Sequence, residues 1–139
     1  MRKLQIVLIL MSFMVVSCHP DTFYTFFDIK NNSDKAIYYT YSNKYPDTSV
    51  DQSIYIPAGS TRTPSEIINA HSTSAVVKSA SLQDYFKTVS SDTIEIFIYD
   101  ADVVKNVSWD SVVAKNLVLR RYLLTLDSIN KLAKVITYP

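Results

Sequence analysis

Gly59 is the only glycine in 139 residues, and that scarcity limits what the chain can fold into. Glycine enters left-handed backbone conformations without a steric penalty. With a single one, glycine-rich phosphate loops are excluded, as are most two-residue hairpins of the Asn-Gly type. Turns must be built from Asn, Asp, Ser and Pro instead. Ten tyrosines, all from Tyr24 onward, join Val, Ile, Thr and Phe in favouring strands.

The first 18 residues are of a different kind. Arg2 and Lys3 form a basic start, and Leu4 to Val16 is apolar except for Gln5 and Ser12. That run has the length of a secretory h-region and falls short of the roughly 20 residues a membrane span needs. Val15-Val16-Ser17-Cys18 resembles a bacterial lipobox. The resemblance implies diacylation of Cys18, the lone cysteine, and removal of residues 1–17. His19 follows the cysteine where an Asp would retain a lipoprotein at the inner membrane, so the resemblance points to the outer membrane, with the leaflet open. His19 to Thr22 forms a tether of four residues, reaching about 14 Å at most. Residues 1–17 are thus expected to be a signal peptide, 18–22 a lipid-anchored tether and 23–139 a single β-rich domain.

Processing changes the charge. Lys+Arg fall from 14 to 12 against 13 Asp+Glu, so the chain's +1 becomes about −1. No basic surplus remains to neutralise phosphates, which argues against nucleic acid as a partner. With Cys18 in a lipid anchor no disulfide forms within one copy, and packing and hydrogen bonds must hold the fold.

Alternation places strands at Phe23–Lys30, Ala36–Ser42, Gln52–Ile56, Ala75–Ser79, Thr93–Tyr99, Leu117–Thr125 and Lys134–Tyr138, with a further return at Thr61–Pro64. In the first, Phe23, Phe27 and Ile29 share a face opposite Tyr24, Phe26, Asp28 and Lys30. The turn at Asn31–Asp34 joins it to the second as an antiparallel pair. Thr93–Tyr99 is apolar enough on both faces to be central. Ser81 with Asp84 three residues on predicts a helix cap leading to Thr88. Ser108 caps Trp109–Lys115, and Asp127 caps one turn to Lys131. The expected fold is mainly β, an antiparallel sandwich of six to eight strands with two or three short helical insertions. An α+β arrangement is the alternative.

Asn32–Tyr38, Tyr45–Thr48, Asp92–Asp102, Arg121–Leu126 and Ile136–Pro139 together resemble small uncharacterised lipoproteins of Bacteroides-type bacteria. The resemblance implies fold, export and anchoring, and supplies no catalytic residue. It also draws attention to Asp92-Thr93-Ile94, Asp110-Ser111-Val112 and Asp127-Ser128-Ile129. These match the Asp-Ser/Thr-apolar motif that such bacteria O-glycosylate, making Thr93, Ser111 and Ser128 candidate acceptors. Each also serves as a strand start or helix cap.

Asp100 and Asp102 follow the central strand, where carboxylates can bind Ca²⁺ or act as acid and base. The blander role is capping at a strand end. His19 and His71 have no ligand cluster around them, and no nucleophile-elbow motif accompanies them. No metal or cofactor is expected. Tyr38, Tyr41, Tyr45 and Tyr55 crowd the first half as a candidate contact surface for a protein or glycan, against a plain role as sheet residues. The leading expectation is a non-enzymatic lipid-anchored binding module of the cell envelope, with a hydrolase using Asp100 or Asp102 as the alternative.

Overall fold

A computed structural model describes residues 23–47, 67–78 and 80–139. Cys18, Tyr55, Gly59 and the strands expected at Gln52–Ile56 and Thr61–Pro64 lie outside them. The described chain runs β1 (Tyr24–Asn31), β2 (Ile37–Ser42), β3 (Ile67–Ile68), β4 (Thr73–Lys78), α1 (Leu82–Phe86), β5 (Ile94–Asp100), α2 (Ala101–Asn106), α3 (Trp109–Ala114), β6 (Arg120–Leu124), α4 (Leu126–Lys131) and β7 (Val135–Tyr138). One sheet has the order β4-β1-β7, the other β3-β2-β5-β6. All pairs are antiparallel except β1 with β7. The fold is β-rich and sandwich-like, with four short helices among the described residues.

β1 and β2 do not pair with each other, contrary to the expectation from the turn between them. They lie in different sheets. Asn31 is the reason: it is fully buried, and its Nδ2 donates to the carbonyls of Lys35, Ile68 and Asn69. The turn therefore carries the chain across the sandwich instead of back along the same sheet. The face assignment of β1 also changes. A register shift between Thr25 and Phe27 breaks the alternation, so Phe26 and Phe27 are both buried. A bulge sets two residues against one on the partner, which turns consecutive side chains inward.

β5 is central, as its composition predicts, and every residue from Ile94 to Tyr99 is buried. Its inward Ile94, Ile96 and Ile98 join Ile37, Tyr39, Phe27, Ile29 and Ile136 in the core between the sheets. Its outward Phe97 and Tyr99 join Tyr38, Val104, Trp109 and Val112 in a second core under α2 and α3. Leu117 and Val118 pack against that second core, which is why the sixth strand is shorter than the apolar run predicts. α2 had no counterpart in the sequence reading. Asp100 ends β5 and, at once, caps the helix: its Oδ1 accepts the N–H groups of Asp102 and Val103. The cap of α4 is Thr125, in a reciprocal capping box with Ser128. Asp127 lies in the first turn, where it pairs with Lys131 at 2.7 Å.

The register fixes which ends coincide. Lys78 pairs with Tyr24 and its ammonium reaches the Tyr41 hydroxyl. Asn31 touches Ile68, the partner of Ile37. The start of β1 and the ends of β2, β4 and β6 therefore share one pole, with α1 and α4 beside them. The end of β1, the start of β2 and α2 share the other.

Candidate functional site

The outer face of the four-stranded sheet carries a charged group that a sheet core ordinarily excludes. Alternation along β5 turns Glu95 to the same side as Phe97 and Tyr99, and Glu95 is fully buried. A buried carboxylate must be paired and hydrogen-bonded to be tolerated. Glu95 Oε2 accepts the backbone N–H of Asp47 at 2.7 Å. Its Oε1 lies 3.4 Å from Arg121 Nη1, but takes no hydrogen bond.

Arg121 reaches that position because β6 pairs with β5 in a register that sets Arg121 opposite Phe97. Its guanidinium stacks over the Phe97 ring, 4.8 Å from the centroid. Nη2 donates weakly to the Asp47 carbonyl at 3.4 Å. Ring, carboxylate and carbonyl thus orient a planar fork that still has 43 % of its side chain exposed. Two residues to either side of Arg121 stand Leu119, just before β6, and Leu123 within it, 53 % and 51 % exposed. An apolar-cationic-apolar row results, on the outer strand of the sheet. A fixed guanidinium presents paired donors that match a carboxylate, and the flanking leucines supply area for an apolar contact.

Beneath the helices the same face packs Tyr99 and Tyr38 against Trp109 of α3. Tyr99 meets Trp109 edge-on at 5.4 Å and Tyr38 at 6.2 Å. The Tyr99 hydroxyl and the Trp109 Nε1 are buried without hydrogen-bond partners. Burial pushes the Tyr99 phenol up to about 12, with Thr40 and Arg121 drawing it partly back.

The four tyrosines singled out in the sequence do not form one surface. Tyr38 is 1 % exposed, which corrects its assignment to a contact face: alternation places it under α2 and α3. Tyr41 is half-buried on the inner face, where Lys78 bonds its hydroxyl and sits over its ring. Tyr45 alone is exposed, in the loop after β2, and Tyr55 lies outside the described residues. Asp100 is committed to the α2 cap and approaches Lys35 at 3.6 Å. Asp102 is exposed, and its carbonyl accepts from Asn106. His71 pairs with Asp34 at 3.0 Å on the surface.

The candidate acceptors for sugars are all half-buried. Ser111 Oγ bonds Ser108 Oγ at the start of α3. Ser128 Oγ donates to the Thr125 carbonyl and accepts the Thr125 N–H, so a glycan there would take the donated proton. Thr93 leads into β5.

A shallow groove of about 430 Å³ lies between α1 and α4, lined by the apolar Phe86 and Leu126 together with Lys87, Asp92 and Asp127. Lys87 and Asp127 are already paired, with Asp84 and Lys131. Among the described residues no group of three or more His, Cys, Asp or Glu could hold a metal ion, and no helix is long and apolar enough to cross a membrane.

No family model, curated protein or solved structure matches the chain. The site therefore stands on its own geometry. Sequence reasoning missed the Glu95–Arg121 pair. One signal was present, a glutamate inside the apolar run Ile94–Tyr99, but its partner depends on the β5–β6 register.

Proposed function

We propose that this chain is a non-enzymatic binding module of the cell envelope, anchored in the outer membrane by lipid on Cys18. It docks a protein partner on the row Leu119, Arg121 and Leu123, which runs from the residue before β6 into that strand. The anchor rests on the apolar run ending in Val15-Val16-Ser17-Cys18. One observation carries the docking face: a buried glutamate and an aromatic ring hold an exposed arginine in place between two exposed leucines. Holding the fork rigid lowers the entropy lost on binding. Its chemistry selects a partner that offers a carboxylate beside an apolar side chain.

The test is photocrosslinking from a reactive residue at Leu123 in native membranes. One reproducible neighbour is expected, lost in Leu119→Asp and in Arg121→Lys, which keeps the charge but not the fork. A crosslink pattern with no reproducible neighbour, or one indifferent to both variants, overturns the reading.

A further inference from the structure

Eight large apolar side chains are exposed among the described residues: Phe23, Tyr24, Tyr45, Ile67, Val103, Leu119, Leu123 and Leu132. Their distribution is uneven in kind. The three aromatic ones, Phe23, Tyr24 and Tyr45, all lie at the pole where β1 begins and β2 ends. Leu132 follows α4 on the same side. Ile67, Val103 and Leu119, all aliphatic, lie toward the opposite pole, whereas Leu123, opposite Glu95 and so level with Ser42, lies on the outer sheet face at the aromatic pole. Phe23 is 67 % exposed, and it is the first residue after the four-residue tether from Cys18.

We infer that this aromatic pole sits in the membrane interface, with a lipid surface as its occupant. The inference rests on the lipid anchor proposed above and adds an orientation to it. A tether that reaches about 14 Å holds Phe23 close to the headgroups whatever path it takes. Aromatic side chains with one apolar and one polar end favour that zone, where a ring enters the acyl boundary and a hydroxyl stays wet. Tyr24 and Tyr45 have that form. The charges at this pole lean basic: Lys44, Lys78, Lys87, Lys131 and Lys134 stand with Asp84, Asp92 and Asp127, where Lys87 pairs with Asp84, Lys131 with Asp127, and Lys78 bonds the Tyr41 hydroxyl. Contact is therefore made by ring insertion, with the small basic surplus adding attraction to anionic headgroups. It leaves α2, Leu119 and the start of β6 facing away from the bilayer, where a partner can reach them.

The experiment uses the full chain, purified lipidated from membranes and placed in vesicles of phosphatidylethanolamine and phosphatidylglycerol. Tyr45→Cys and Leu132→Cys label the aromatic pole, and Val103→Cys and Leu119→Cys the other. All four sites are exposed, and Cys18 has no free thiol once acylated. With an environment-sensitive fluorophore, positions 45 and 132 should emit at shorter wavelength and be quenched by nitroxide lipid. Positions 103 and 119 should behave as in water. Intact mass, read first, separates the two ideas. An unacylated Cys18 overturns both the anchor and the orientation. An acylated chain whose four labels respond alike overturns the orientation alone.

Discussion

Tyr99 is a fully buried phenol whose hydroxyl takes no hydrogen bond of ordinary geometry, Thr40 being the nearest polar side chain to act on it. Burial is the main cause of its raised value of about 12, against 10.0 for a free phenol. A folded-state value above the unfolded one means that the unfolded chain loses its proton first. Stability is then complete below pH 10 and falls as pH rises toward about 12, by roughly 3 kcal/mol for this group. Burial raises Tyr85 and Tyr122 in the same direction. Tyr99→Phe removes an unpaired hydroxyl and keeps the ring, so at pH 7 it should change stability by less than about 1 kcal/mol. Urea unfolding at pH 8 and pH 11 checks this, and the variant should lose less stability than the parent between the two. Backbone strain offers a second residue-scale test. His71, Asp92, Asn116, Ala133 and Lys134 all have positive φ. Asn, Asp and His tolerate that region better than most residues, and alanine does not. Ala133, at φ 50 and exposed, should gain about 1 kcal/mol on substitution by glycine. A thermal melt of Ala133→Gly that shifts downward would refute that account.

The helices are short and depend on their caps. Ser81 Oγ accepts the Asp84 N–H and donates to its carboxylate, which Lys87 also bonds. Lys87 first, then Ser81, hold the Asp84 carboxyl below its ordinary range. This cap and that of Ser108 were legible in the sequence because the whole motif fits within four residues. The cap of α2 was not, because Asp100 belongs to the preceding strand and no loop separates the two. Its role is testable against its neighbour. Asp100→Ala removes the acceptor of two N–H groups and the contact with Lys35. It should cost about 1–2 kcal/mol, because Val104 of α2 is buried in the outer core. Asp102→Ala, exposed and outside the cap, should stay within about 0.5 kcal/mol. Equal losses in urea unfolding would mean that Asp100 does not act as the cap. The strand β5 was legible for the opposite reason: its composition makes it central in any sheet it joins. The Glu95–Arg121–Asp47 cluster draws on β5, β6 and the loop after β2, and no local pattern links them.

At one pole a buried side chain, Asn31, ties one sheet to the other, and this decides the topology that alternation alone misread. Asn31 does two things. Its Oδ1 accepts the Ser33 N–H at 3.0 Å and the Ser33 hydroxyl at 2.7 Å, which shapes the local turn. Its Nδ2 faces the carbonyls of Lys35, Ile68 and Asn69, which ties the end of β1 to β3 in the other sheet. The local half is what a turn-rich Asn31-Asn32-Ser33-Asp34 predicts. The cross-sheet half depends on residues 37 and 38 positions away and leaves no trace in spacing. The two can be separated. Asn31→Ala loses both and should cost about 2–4 kcal/mol, because buried carbonyls lose their donor. Asn31→Asp keeps the acceptor for Ser33 but loses the donor and sets a carboxylate among three carbonyl oxygens. It should destabilise at least as much as alanine in equilibrium urea unfolding. If the aspartate variant instead retains most of the parent's stability, the turn alone holds this pole and the sheets are fixed by their apolar core.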